Sequence, residues 1–118
     1  ALLSRRILPP LGWTLLLAAC AGVSGGDPGL YQRLSDRDVV LAAGQLQRTL
    51  ESAPDGATRS WHNASSGDRG SITPTRTYLS AAGRFCREYR EELSLGDQSG
   101  RFYHVACRDD RTGSWSWL

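Results

Sequence analysis

Two cysteines flank a segment with a single strong turn signal, and their placement restricts the fold more than any other feature. In RFCREYREELSLGDQSGRFYHVACRDD, residues 84–109, Gly96-Asp97 sits midway between Cys86 and Cys107. A two-residue hairpin closed by Leu95 and Gln98 therefore sets Cys86 directly opposite Cys107. Opposed strand residues have Cβ atoms roughly 4.5–5.5 Å apart, a gap that a disulfide spans with small local adjustment. The register predicts a Cys86–Cys107 cross-strand disulfide. Such bonds persist in exported proteins and are rare in the cytosol, so an export signal is expected near the N-terminus.

The chain opens ALLSRRILPPLGWTLLLAAC, with Arg5 and Arg6 before a mostly apolar run and Ala18-Ala19 at its end. This is the grammar of a signal peptide. The run is far shorter than the roughly 20 residues of a membrane-spanning helix. Leu17-Ala18-Ala19-Cys20 resembles the lipobox of bacterial lipoproteins, in which the cysteine sulfur receives a diacylglycerol and the new N-terminus an acyl chain. Residues 1–19 are expected to be a lipoprotein signal peptide and Cys20 the lipidation site. One lipid-bearing thiol and one disulfide account for all 3 cysteines. Ala21 follows Cys20 where Asp would favour inner-membrane retention, so the outer membrane is the expected partner surface. No cofactor is expected beyond the covalent lipid.

The charge balance argues against nucleic acid as a partner. Of 14 basic residues, Arg5 and Arg6 fall in the expected leader, leaving 12 against 12 acidic ones. A neutral domain lacks the electrostatic footprint that phosphate backbones select. A 118-residue chain holds one small domain, whose limited core makes a disulfide worth roughly 3 kcal/mol a useful supplement.

Residues 20–33 read as the lipidated cysteine and a small-residue tether, and 34–118 as the domain. Ser35 can cap a helix whose first turn carries Asp36 and Asp38, with Leu34 and Val39 at staple spacing. Val39, Ala42, Ala43, Leu46 and Leu50 form an apolar stripe at helical spacing, which ends near Ser52 ahead of Pro54-Asp55-Gly56. Alternation then predicts strands over 58–62, 71–80, 84–95, 98–108 and 114–118, with Pro74 at an edge or bulge. The expected fold class is α+β: one N-terminal helix packed on an antiparallel meander of four to five strands.

Few residues invite a chemical role. His62 and His104 are the only histidines, and no His or Cys pair shows zinc spacing, so neither a catalytic site nor a metal site is expected. His62, Ser65, Ser66 and Asp68 contain the residue types of a hydrolase triad but lack a nucleophile-elbow sequence. The alternating charges of REYREE, Arg87 to Glu92, read as a solvated sheet face, with Glu92 opposite Arg101. Most aromatic residues are expected to fill the core. Trp61, Tyr78, Trp115 and Trp117 are the candidates for a partner-binding patch should they prove exposed.

Several segments carry a resemblance beyond this pattern. SDRD (35–38), SAPDGATRSWHN (52–63), GSITPTRTY (70–78), RFCREY (84–89), VACRDD (105–110) and GSW (113–115) resemble, in that order, the C-terminal domain of the rickettsial seventeen-kilodalton surface antigen family. ITPTRTY and the cysteine pair are its specific part. The resemblance implies a noncatalytic, lipid-anchored outer-membrane or surface protein with a structural or interaction role. A periplasmic or surface binding module, such as an inhibitor of an envelope enzyme, is the alternative. The type antigen carries a glycine-zipper segment between lipobox and domain, whereas GVSGGDPGLYQR occupies that interval here. Zipper-dependent properties are therefore not implied.

Overall fold

The computed structural model describes residues 26–118; Cys20 and the expected signal peptide lie outside them. In chain order the elements are a 3-10 helix, Pro28–Arg33, helix α1, Asp36–Ser52, and strands β1, Arg59–His62, β2, Arg69–Leu79, β3, Phe85–Leu95, β4, Gln98–Arg108, and β5, Trp115–Trp117. The strands form one antiparallel sheet in sequence order. This is the α+β meander that the alternation predicts.

The central hairpin follows from its turn. Gly96 adopts φ 63°, a left-handed conformation that a residue without Cβ accepts readily, and Leu95 pairs with Gln98. That register carries through to Cys86 opposite Cys107, which form a disulfide with an S–S length of 2.03 Å. Both cysteines are buried. On β2 the pairing with β3 shifts between Pro74 and Arg76, because a proline cannot donate to the ladder and a bulge absorbs the missing bond.

Helix α1 begins with a complete capping box. The Ser35 side chain accepts from the Asp38 backbone N–H, while the Asp38 carboxylate accepts from the Ser35 N–H. The buried stripe is rotated from the apolar one expected. Asp38, Thr49 and Leu50 are buried, whereas Val39 and Ala43 are exposed. The cause lies in the cap: Asn63 and Ser66, from the β1–β2 loop, both donate to Asp38 Oδ1 and turn that edge of the helix inward. At the other end the Arg87 guanidinium donates to the Leu50 carbonyl at 2.7 Å and to Asp55 Oδ1 at 2.8 Å. It thereby satisfies a helix-end carbonyl that would otherwise lack a partner.

Between these ends, two glutamines on opposite sides of α1 reach opposite edges of the sheet. Gln45 Nε2 donates to the Ser60 carbonyl on β1, while the Gln47 amide donates to the Trp115 carbonyl and accepts from its N–H on β5. Five strands at roughly 4.8 Å spacing make a sheet about 19 Å wide. The backbone of α1 lies over β1 and β2, the 3-10 helix lies against β3, and Gln47 extends the reach of α1 to β5.

Inward positions alternate as a half-covered sheet requires. On β3, Arg87, Tyr89, Glu91, Leu93 and Leu95 are buried toward α1, while Glu88, Arg90, Glu92 and Ser94 lie on the opposite face. The expectation that REYREE is a solvated face holds for alternate residues only. The 3-10 helix also departs from expectation, since its residues 28–33 fall within the expected tether. They dock instead: Leu30 is buried over Gly100, where an added Cβ would come within 2.8 Å of the leucine methyl, and the Gly26 N–H donates to the Arg101 carbonyl.

Candidate functional site

The 3-10 helix delivers Tyr31 to a polar cluster under the sheet's covered face. Its hydroxyl donates to Glu91 Oε1 at 2.5 Å and lies 2.7 Å from His104 Nε2. A phenol has one proton, which here goes to Glu91, so His104 must donate from Nε2. The aromatic walls are Phe102, with its ring centroid 4.7 Å from that of Tyr31, and Trp117, stacked on His104 at 4.5 Å. Trp117 is in turn fixed by its indole N–H, which donates to the Tyr89 hydroxyl at 2.6 Å.

Electrostatics make this cluster a clasp. Burial pushes the Glu91 carboxyl above its ordinary range, with the Tyr31 hydrogen bond opposing that shift. Burial lowers His104. It also raises Tyr31, helped by the hydrogen bond to Glu91 and by that carboxylate's charge. A phenol held this firmly protonated is a poor general base. The arrangement ties residues 28–33 to β3 and β4.

A second feature lies on the uncovered face. At the end of the sheet formed by β1, β2 and the β3–β4 hairpin, an open trough of about 1030 Å³ is lined by Ser60, Ser71, Ser94 and Ser99 together with Arg69 and Arg101, and also by His62 and the buried Trp61 and Leu93. Glu92 occupies its centre, with Arg101 Nη2 at 3.4 Å and Arg90 Nε at 3.9 Å. Arg69 makes no ion pair among the described residues. Tyr103 stands at the rim with 67% of its surface exposed.

The expected candidates are scattered. Trp61 and Trp115 are buried in the core, Trp61 showing only an edge to the trough. Tyr78 is partly buried opposite Cys86, with the Arg76 guanidinium 4.7 Å from its ring centroid. Trp117 is 56% exposed. His62 lies on the uncovered face of β1 and makes no hydrogen bond with Ser65, Ser66 or Asp68 among the described residues, while Ser66 is committed to Asp38. No group of three metal-ligating side chains occurs among the described residues. Glu92 does lie opposite Arg101.

Tyr31 and Glu91 are not among the residues that the sequence singles out. Glu91 is accessible from it, since the hairpin register gives Glu91 the same parity as the inward residues Tyr89 and Leu93. Tyr31 is not, because its docking depends on a contact across 60 residues.

The comparisons with known proteins bear on the strands and the end of α1. The model of a family described as "17 kDa outer membrane surface antigen" matches residues 48–116. The 17 kDa surface antigen of Rickettsia prowazekii (strain Madrid E) is 42% identical over 69 residues, which are 58% of this chain and 43% of that protein. Its counterpart in Rickettsia conorii is 37% identical over 82 residues, or 70% of this chain and 51% of that protein. The Rickettsia bellii (strain RML369-C) protein is 35% identical over 82 residues. The chain thus spans about half the length of the curated relatives it matches. No solved structure matches it significantly. Tyr31, the donor of the clasp, lies outside the segment matched by the family model.

Proposed function

Because the chain belongs to the 17 kDa outer membrane surface antigen family, we propose that it is a noncatalytic lipoprotein of the outer membrane or cell surface. Its small domain would serve a structural or interaction role in the envelope. The observation that carries this reading is the family match over residues 48–116. The buried Cys86–Cys107 disulfide supports it, since a bond of this kind belongs to an oxidising compartment. The Leu17-Ala18-Ala19-Cys20 quartet supplies the attachment. Acylated Cys20 holds the chain at the membrane, and residues 21–25 link it to Gly26, the first residue bonded to the sheet. That link spans at most roughly 20 Å when fully extended, so the domain stays close to the membrane surface.

The alternative of a binding module built on Trp61, Tyr78, Trp115 and Trp117 is weakened by the burial of Trp61 and Trp115. The test is intact-mass spectrometry of protein purified from membranes of a Gram-negative host, with and without reduction and alkylation. The expected result is the mass of residues 20–118 plus three acyl chains, with two cysteines becoming alkylatable on reduction. A mass without lipid, or an alkylatable Cys20, would overturn the anchor.

A further inference from the structure

The trough on the uncovered sheet face differs from the rest of the domain in charge, relief and side-chain chemistry. Across the described residues 12 arginines balance 12 acidic residues, once Arg5 and Arg6 are set aside from the 14 basic residues of the whole chain. That balance is uneven in space. Among strand residues, the uncovered face carries Arg69, Arg76, Arg90 and Arg101 against Glu88 and Glu92, so its strand positions are net positive. Within the trough, Glu92 is bracketed by arginines, and Arg69 is left without a carboxylate among the described residues. The site therefore complements an anion.

From this geometry we infer that the trough binds an anionic polysaccharide. Serine hydroxyls on four adjacent strands offer paired donors and acceptors at the spacing of a sheet, which suits a ligand that itself carries hydroxyls along its length. Tyr103 presents a ring face at the rim, an amphipathic surface on which a pyranose ring can lie. The arginines hold carboxylate or phosphate groups by charge-assisted, forked hydrogen bonds. The volume of about 1030 Å³ lies at the upper end for small-ligand pockets, and the trough is open, so an extended chain of sugars fits better than a single compact molecule. Other anions fit less well. An acidic peptide would engage the arginines but leave the four serine hydroxyls without hydroxyl partners, and the apolar side chains of the lining, Trp61 and Leu93, are too buried to form an anchor pocket. A flat lipid surface would meet a recess and leave the floor unfilled.

The decisive experiment is calorimetric titration of the full chain with tetragalacturonate, with uncharged galactotetraose, with tetraglutamate and with phosphatidylglycerol vesicles. Saturable binding of tetragalacturonate is expected, at least about tenfold tighter than that of either soluble control and without detectable binding to vesicles. The Arg69→Gln/Arg101→Gln variant should weaken it by about tenfold or more, as follows from losing charged hydrogen bonds, and Tyr103→Ala by several-fold. Arg48→Gln, on α1, should change nothing. Ser99→Glu, at an exposed trough position, gives an independent reading by charge repulsion in a chain whose thermal unfolding is checked to be unchanged. Absence of saturable binding would overturn the inference. Equal or tighter binding of tetraglutamate would reassign the trough to acidic peptides, and binding to vesicles alone would reassign it to lipid. Full affinity in both the double-arginine and Ser99→Glu variants would show that the trough is not the site.

Discussion

Replacing Asp38 with alanine should destabilise the domain by about 2–4 kcal/mol, and the structure shows where that loss arises. Asp38 is 0% exposed. Its carboxylate closes the capping box at Ser35 and accepts from Asn63 Nδ2 at 2.7 Å and from Ser66 Oγ at 3.0 Å. Loss of the bond from the Ser35 N–H costs about 1 kcal/mol, while Ser35 Oγ keeps its bond to the backbone N–H of residue 38. Asn63 is 5% exposed, and leaving its amide without an acceptor costs a further ~1–3 kcal/mol. Ser66 is exposed and can turn to water. For a domain of this size the sum lowers the melting temperature by roughly 10–25 °C.

The same site predicts a dependence on acid. Burial opposes ionisation of Asp38, but hydrogen bonding with the Ser35 backbone, Asn63, Asp68 and Ser66 outweighs it and brings the carboxyl from 3.8 to about 2. The folded value lies below the unfolded one, so the stabilisation is complete above about pH 4 and is lost as pH falls toward 2. It amounts to about 2 kcal/mol. Asp68, raised mainly by Asp38, changes in the opposite sense and offsets part of that loss. Urea denaturation of the wild type, Asp38→Ala and Asp38→Asn should be followed from pH 7 to pH 2.5. Asp38→Asn should flatten the slope below pH 4. A cost under about 0.5 kcal/mol for Asp38→Ala, or an unchanged acid slope in Asp38→Asn, would refute the reasoning.

Removing the disulfide with Cys86→Ser/Cys107→Ser should cost about 3 kcal/mol in the chain-entropy account, read as a lower urea midpoint that reduction of the wild type reproduces. Tyr31→Phe leaves Glu91 and His104 without their shared hydroxyl and should cost about 1–3 kcal/mol, with faster hydrogen exchange over residues 28–33. Glu91→Gln should raise the melting temperature at pH 7. Burial raises the folded pKa of Glu91 above its ordinary 4.5, so the charged form is penalised as pH rises and the gain should vanish below about pH 4.5. Burial lowers His104 from 6.5, so the wild type should lose stability as pH falls below about 6.5, a slope that His104→Gln should remove.

The hairpin was legible because its information is local: a glycine able to take positive φ, a two-residue loop and strict alternation fix both register and disulfide. The bounds of α1 were legible for the same reason, through Ser35 at one end and Ala53-Pro54 at the other. Which side of α1 turns inward was not, because polar contacts with Asn63 and Ser66 override the stripe containing Val39 and Ala43. Burial of Trp61 and Trp115 was legible only as a tendency of aromatic residues. Their positions depend on α1, whose backbone lies over β1 and β2 and whose Gln47 and Glu51 side chains reach Trp115 on β5. The trough was hidden because its serines and arginines come from four strands, and no single segment looks basic.

Gln45 and Gln47 bear on how copies of this protein behave side by side. A sheet edge offers unpaired amides and carbonyls on which another chain can build. Here β1 and β5 are only 4 and 3 residues long, and α1 occupies outward-facing backbone groups on each. The proposed lipid anchor would confine such domains to a plane, where encounters are frequent and orientations alike. With both flanks engaged by the protein's own helix, neighbours in such a layer can collide repeatedly without zipping into a continuous ribbon.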